Sequence, residues 1–250
     1  MNYPKFEVTI IGCGSATPGA GRHPSAQALF HFQDVFLIDC GEGTQDRLKE
    51  FDVKWNRINQ IFISHLHGDH IFGLPGLLST FHLNRRERKI QIFSPSGLRA
   101  PLEFLLQTGG ESLSFEIEWV ELNHEGSKKI WESDRLEVIA IPLDHRISTY
   151  GYLFREKEHP RKILVEELSK FPKLSHLQLR SLKQGYDVHL ENGLTIFNEE
   201  VTEKILEIRS YAYWSDTLFH SEYSTYLSNI TTLFHEATFL DRSEERRVGK

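Results

Sequence analysis

The chain has 250 residues, 39% hydrophobic and 26% charged, with a formal net charge of −6. That length and apolar content support one sizeable globular domain and exclude a disordered chain, while the acidic balance excludes a generally basic nucleic-acid binder and leaves room only for a local basic patch. Two cysteines are too few for a disulfide framework and suit a reducing cytoplasm, and no apolar run has the length of a membrane span or the form of a signal core.

Residues 6–11 predict a first strand, ending in the small-residue loop Gly12-Cys13-Gly14-Ser15-Ala16-Thr17-Pro18-Gly19. Its Gly-x-Gly lacks the rest of a dinucleotide fingerprint and no helix signal follows, so no nucleotide cofactor is expected. Residues 26–32 and 35–39 read as a hairpin about a Gln33-Asp34 turn. The glycine loop Cys40-Gly41-Glu42-Gly43-Thr44-Gln45 then feeds a short polar helix reaching residue 50. Asp39, at a strand end, is placed to orient a metal-bound histidine from behind.

Gln60-Ile61-Phe62-Ile63 is a buried strand, and it runs into Ser64-His65-Leu66-His67-Gly68-Asp69-His70. Side chains two apart in extended chain point the same way, so His65 and His67 can present imidazoles to one metal. Gly68 permits a sharp turn, after which Asp69 and His70 can face a second metal beside the first. With thirteen histidines in the chain some pairs arise by accident, but four ligand-type residues within six positions at a strand end are much harder to produce that way. Imidazole with carboxylate suits zinc, with manganese or iron as alternatives.

Beyond the apolar segment 71–83, residues 90–93 predict a strand, 98–107 a helix, and 115–120 and 136–141 two more strands. The last of these delivers His145, a third ligand for the first metal. Residues 150–154 are strand-like; residues 155–192 are polar, with several Lys and Arg and one amphipathic segment at 163–171. That stretch is either a surface insertion or an arm that meets a charged partner. Arg85, Arg86, Arg88 and Lys89 form the densest internal basic cluster, a phosphate contact or a solvated helix end. Residues 194–197 and 205–213 predict strands, the second placing Asp216 at its end, where each carboxylate oxygen can serve one of two metals. A last strand, 231–234, ends in His235-Glu236-Ala237-Thr238-Phe239.

Taken together, these residues resemble the metallo-β-lactamase superfamily and, within it, the ribonuclease Z family, which trims the 3′ end of precursor tRNA. His65-Leu66-His67-Gly68-Asp69-His70 carries the superfamily resemblance. The family resemblance rests on Gly14-Ser15-Ala16-Thr17-Pro18, Asp39-Cys40-Gly41-Glu42-Gly43-Thr44-Gln45, the stretch from His145-Arg146 to Gly151-Tyr152, Ser215-Asp216-Thr217 and His235-Glu236-Ala237-Thr238. It implies an α/β fold, an αββα sandwich of two mixed β-sheets flanked by helices, spanning residues 1–241 as one domain with 155–192 inserted as a tRNA-gripping arm. It also implies two zinc ions per full-length subunit. His65, His67, His145 and Asp216 would hold one, and Asp69, His70 and bridging Asp216 the other, with Asp69 as proton acceptor for the attacking water and His235 as proton donor to the leaving oxygen. The implied products are a tRNA 3′-hydroxyl and a trailer 5′-phosphate, made by a cytoplasmic homodimer without membrane attachment. Within the arm, Leu182-Lys183-Gln184-Gly185 resembles the family's Leu-Lys-x-Gly, although no Gly-Pro pair precedes it.

The family's further His-Ser-Thr stretch, which supplies a last ligand to the second zinc, has no counterpart here, and residues 242–250 resemble a translated sequencing adapter, an artefactual tail. The expectation is therefore a C-terminally truncated chain. Two other readings stand beside tRNA processing: a superfamily hydrolase of another substrate, such as a small phosphodiester, thioester or sulfate ester, and an inactive truncated fragment.

Overall fold

The computed structural model describes residues 4–14, 21–108, 112–204, 207–218 and 220–236. These fall into two compact units, the first drawn from 1–128, 139–153 and 211–250, the second from 129–138 and 154–210. In the first unit, β1 (Phe6–Gly12), β2 (Ala26–His31) and β3 (Asp34–Ile38) form an antiparallel meander. Onto β3 the strands β4 (Ile58–Phe62), β5 (Ile90–Pro95) and β6 (Ile117–Leu122) add in parallel, giving a mixed sheet in the order β1-β2-β3-β4-β5-β6. Parallel neighbours need crossover connections. Here these are α1 (Thr44–Glu50), then α2 (Gly68–Ile71) with α3 (Leu74–Leu83), then α4 (Arg99–Gln107).

Both faces of this sheet are covered, so β3 reads as an unbroken apolar run after Asp34, while β4 and β5 carry half-buried polar residues at Asn59, Gln60 and Gln91. Leu37, Ile61 and Ile92 pack with Leu48, Leu74, Leu77, Leu78 and Leu102 of the helices. The intervening side chains point the other way, where Phe62 stacks on Phe93 with ring centroids 4.7 Å apart. Each such buried side chain contributes about 1.5–3 kcal/mol.

The chain continues through β7 (Lys128–Glu132), β8 (Leu136–Leu143) and β9 (Thr149–Glu156), entering the first unit part-way along β8 and leaving it part-way along β9. In the second unit, β10 (Lys162–Ile163) pairs with β13 (Thr202–Glu203), and β11 (Val188–His189) with β12 (Thr195–Ile196). Among them lie α5 (Val165–Leu168), α6 (His176–Lys183) and α7 (Asn198–Val201). The unit has its own apolar core of Leu182, Val188, Ile196 and Val201. Helix α6 starts at a capping box, in which Ser175 Oγ accepts from the Gln178 N–H at 3.3 Å and Gln178 Oε1 accepts from the Ser175 N–H at 2.8 Å. It ends at Gly185, whose φ of 89° suits the residue after a helix. Leu182-Lys183-Gln184-Gly185 thus closes α6, with Leu182 in the core. Arg209 grips the buried Glu156 by two bonds, Nε to Oε2 at 2.9 Å and Nη2 to Oε1 at 2.6 Å. The stretch 155–192 lies in this unit, which runs on past it.

Back in the first unit come β14 (Ser210–Trp214, entering at Tyr211), α8 (Ser224–Leu227) and β15 (Thr232–His235), and the second sheet has the order β15-β14-β9-β8-β7. Within that unit the two sheets meet face to face. Tyr152 donates its hydroxyl to the Ile63 carbonyl at 2.6 Å and sets its ring against Phe62, and the Tyr211 hydroxyl donates to Gln27. On the outer side Ile141, Leu153 and Trp214 are covered by Tyr226, Leu227 and Ile230. The layers run helix, sheet, sheet, helix.

Some local expectations shift. The hairpin turn is Phe32-Gln33, one residue early, with Phe32 at φ 53°. Strand β6 begins at Ile117, and β7 is an unanticipated strand. Residues 205–206 of the expected strand 205–213 lie outside the described residues, as do loop residues 15–20 and the stretch 237–250 with its adapter-like tail.

Candidate metal centre

The site is built where β3 and β4 end side by side. Asp39 follows β3 in a left-handed conformation, φ 56°, which turns its buried carboxylate towards the chain leaving β4. One oxygen, Oδ1, accepts the Ser64 N–H at 2.7 Å. The other, Oδ2, accepts the Ser64 hydroxyl at 2.9 Å, the Tyr213 hydroxyl at 2.6 Å and His70 Nδ1–H at 2.7 Å. Burial disfavours the Asp39 charge, but the His70 charge and these bonds outweigh it, and the pKa lies below the usual carboxylate value. His70 answers in kind: burial works against its protonated form, and Asp39 outweighs that and raises it. The expected orienting role of Asp39 thus has its geometry. With Nδ1 committed to Asp39, Nε2 of His70 is left to face the site.

Gly68 does not act as a left-handed turn. It opens α2, and a Cβ there would fall 2.1 Å from the Phe72 ring, so the requirement is space for that ring. A Cβ at Gly41 would fall 2.4 Å from the Asp69 carbonyl. The Cys40 N–H donates to the His70 carbonyl at 2.8 Å and the Gly73 N–H to the Cys40 carbonyl at 2.8 Å, so the loop after β3 lies directly against the histidine motif.

His65, His67, His145 and Asp216 bring one donor atom each into a group whose members all lie within 4.8 Å of one another. Nε2 of both His65 and His145 stands 4.0 Å from Asp216 Oδ2. The other Asp216 oxygen, Oδ1, lies 3.7 Å from His70 Nε2, which in turn is 3.6 Å from Asp69 Oδ2. One carboxylate therefore divides its oxygens between two clusters. The chemistry of this donor set fits a metal. Nε2 of His65 and of His145 is buried without a hydrogen-bond partner, a costly state that an ion relieves, and bonds of about 2.0–2.2 Å to zinc fit the group's size. Burial, with repulsion from neighbouring imidazoles, pushes His65 down to about 3, so its lone pair is available at neutral pH. His145 is lowered by burial and by His67.

His235 ends β15 opposite Trp214 and is exposed; its Nδ1–H donates to the Glu236 carbonyl at 2.6 Å. It does not join the cluster of donor atoms. The sequence reading passed over Ser25, Ser64, Tyr213 and Glu236. The first three surround Asp39, with the Ser25 hydroxyl 2.9 Å from that of Tyr213. Glu236 lies close enough for its charge, second to burial, to raise Asp216. Its adjacency to His235 was the one available signal.

Over 237 residues the chain is 40% identical to ribonuclease Z of Bacteroides fragilis, an alignment covering 95% of this chain and 78% of that protein. The chain belongs to the ribonuclease Z family. Ribonuclease Z of Cytophaga hutchinsonii is 43% identical over 243 residues, 96% of this chain and 77% of that protein. Among solved structures, the short form of human tRNase Z superposes with a TM-score of 0.68 at 26% identity, covering 97% of this chain and 82% of that one. The metallo-β-lactamase fold protein YhfI of Bacillus subtilis gives 0.60 at 14%, covering 95% and 73%. The fold is the metallo-β-lactamase fold. Residues 6–158 also match, and belong to, the family described as Anti-Pycsar protein Apyc1, a stretch that holds every ligand candidate except Asp216. No described helix is long and apolar enough to cross a membrane.

Proposed function

We propose that this chain is a zinc-dependent endoribonuclease that removes the 3′ trailer from precursor tRNA, leaving a tRNA 3′-hydroxyl and a trailer 5′-phosphate. The observation that carries the reading is the division of the Asp216 oxygens between the His65/His145 side and the Asp69/His70 side. In this reading His65, His67, His145 and Asp216 hold one zinc ion, and Asp69, His70 and the same Asp216 hold the other. Two ions there supply Lewis acidity and lower the pKa of water. Asp69 accepts a proton from the water attacking phosphorus, and Asp39 keeps His70 in the tautomer that faces the site. As the P–O3′ bond breaks, His235 in its imidazolium form gives its Nε2 proton to the departing 3′ oxygen and is left neutral, with its Nδ1–H still held by the Glu236 carbonyl. The water oxygen forms the new bond to phosphorus directly and the 5′-phosphate stays on the trailer, so no covalent enzyme intermediate is required.

The ribonuclease Z relatives support tRNA as the substrate. On the same basis residues 155–192 serve as a tRNA-gripping arm and the chain works as a homodimer in the cytoplasm, a setting that suits a buried Cys40 thiol whose pKa burial pushes up to about 12. The test is cleavage by the zinc-loaded protein. Precursor tRNA is expected to be cut just after the discriminator nucleotide, with lactams and thioesters left nearly untouched. Equal turnover of a small thioester overturns the reading.

A second reading is the anti-Pycsar role that the matched family's description names, supported by the match over residues 6–158. It differs in the target and not in the metal edge. Rapid hydrolysis of a small phosphodiester with precursor tRNA left intact favours it.

A further inference from the structure

The basic cluster between α3 and β5 has no part in the metal chemistry, yet it borders a pair of adjoining cavities in the first unit. One, of about 370 Å³, is lined by Trp55, Phe81, Arg85, Arg86, Glu87 and Arg88 among others. The second, of about 600 Å³, shares Trp55, Asn56 and Asn84 with it and adds Lys49, Asp52, Val53 and Lys54. On a chain of net charge −6, this places three guanidiniums and two ammoniums around one indole, against two carboxylates.

The basic residues divide into a fixed part and a free part. Arg86 is spent on the fold. Its guanidinium lies 5.3 Å from the Phe81 ring centroid and donates to Asn59 at 2.7 Å and to the Arg88 carbonyl at 2.7 Å. Lys89 pairs with Glu118, and Lys54 with Asp52. The guanidiniums of Arg85 and Arg88 have no hydrogen bond or ion pair among the described residues, and the Trp55 indole N–H has no partner there either. Trp55 packs one side against the core and leaves the rest to the cavity. Arg85 sits at φ 55° as α3 unwinds, with its N–H bonded to the His82 carbonyl, which carries its side chain away from the helix.

This lining matches a nucleotide unit of a nucleic acid. A flat aromatic face with a free donor stacks a base, and two unpaired guanidiniums clamp a phosphate. The cavity lies at the start of β4 and β5, whereas His65 and His67 follow the end of β4. Five residues of strand at about 3.3 Å each put the two places about 17 Å apart. We propose that this cavity is a second RNA contact, binding a phosphate and a base of the substrate remote from the cleaved bond. The proposal rests on the RNA-processing reading above.

The test is binding, and it needs no cleavage. Full-length protein stripped of metal is titrated with a labelled, unstructured RNA oligonucleotide over a range of salt concentrations, as wild type, as Arg88→Ala, and as Arg85→Asn with Arg88→Ala. Asparagine is chosen because it tolerates the left-handed backbone at position 85. The double variant is expected to bind about tenfold more weakly, with a salt slope shallower by about 1.4, and the single variant with one shallower by about 0.7. Zinc-loaded hydrolysis of bis(p-nitrophenyl) phosphate is expected to be unchanged in both, as is thermal melting. Unchanged affinity and slope overturn the proposal. Displacement of the RNA by AMP alone, at concentrations near its own Kd, also overturns it, by making the cavity a mononucleotide site. If wild-type enzyme does not cut precursor tRNA, the processing reading fails by itself, while the binding result still decides the cavity.

Discussion

The two units hold their polar groups in different ways. At the metal edge of the first unit one carboxylate, Asp39, collects donors from Ser64, His70 and Tyr213, residues drawn from two separate parts of the chain. In the second unit local contacts, such as the Ser175/Gln178 box, stand beside long-range ones spread over separate sites, such as Arg161 Nε to Thr202 Oγ1 at 2.7 Å and the buried Glu156–Arg209 pair. A converging network restrains the positions of its members, which suits the tight geometry that the proposed two-metal displacement would require. A small core with local caps needs only to stay folded. Substitutions should therefore separate the units: those at the edge change chemistry and metal content, and those in the second unit change stability and any grip on the tRNA while leaving the chemistry and metal content alone.

The sharpest test is Asp69→Ala. It removes a ligand candidate and the proposed proton acceptor together, so cleavage of precursor tRNA is expected to fall by at least about a hundredfold, the lower end for acid–base groups. Melting of the metal-free protein should barely move, because the Asp69 side chain holds no hydrogen bond on which the fold depends. Wild-type turnover would refute its assignment.

Next comes Asp39→Ala, which breaks the edge in both respects. The Ser64 N–H, the Tyr213 hydroxyl and His70 each lose an acceptor in a buried place, at a cost of about 3–5 kcal/mol for the broken charge pair alone. With His70 no longer oriented, zinc affinity is expected to drop about 10–100-fold. Chemical denaturation and zinc titration check the two halves separately, and a loss of stability with unchanged zinc affinity would remove Asp39 from the site.

Glu156→Ala is the counterpart in the second unit. It leaves Arg209 without its bidentate partner, at a cost of about 3 kcal/mol, while zinc content should stay at the wild-type value. Loss of zinc here would break the contrast between the units.

What could be read beforehand follows the same division. His65, His67, Asp69 and His70 lie within six positions after an apolar strand, so the sequence alone shows them converging, and Asp39, His145 and Asp216 betray themselves by standing at strand ends. Ser25 and Tyr213 do not, because they reach Asp39 across separations of 14 and 174 residues with no local pattern to mark them. Gly68 was assigned to a turn, and only the closeness of the exposed Phe72 ring reveals its steric role. The second unit was the least legible part. Its strands β10 to β13 have two residues each, too short for a period to show, and β7, Lys-Lys-Ile-Trp-Glu, has no clean alternation. Helix α6 fully buries Leu182 alone, so its apolar face is faint, and the Ser175-x-x-Gln178 capping-box spacing at its start went unread.

That capping box supplies the smallest and most local test of the contrast. Ser175 is exposed and its side-chain hydrogen bonds go to Gln178, so Ser175→Ala removes one acceptor for the first turn of α6 and leaves the backbone bond from the Leu179 N–H to the Ser175 carbonyl in place. The expected cost is about 1 kcal/mol. Because α6 carries Leu182 into the core of the second unit, the loss should appear as faster amide exchange along α6 and its packing partners, with protection at the metal edge unchanged. Hydrolysis of a small phosphodiester should keep its wild-type rate. Cleavage of precursor tRNA should weaken slightly through KM if residues 155–192 grip the tRNA, since a frayed helix must be ordered again on binding. A fall in kcat on the small substrate would show instead that the second unit helps to hold the reacting groups, and would erase the division drawn between the units.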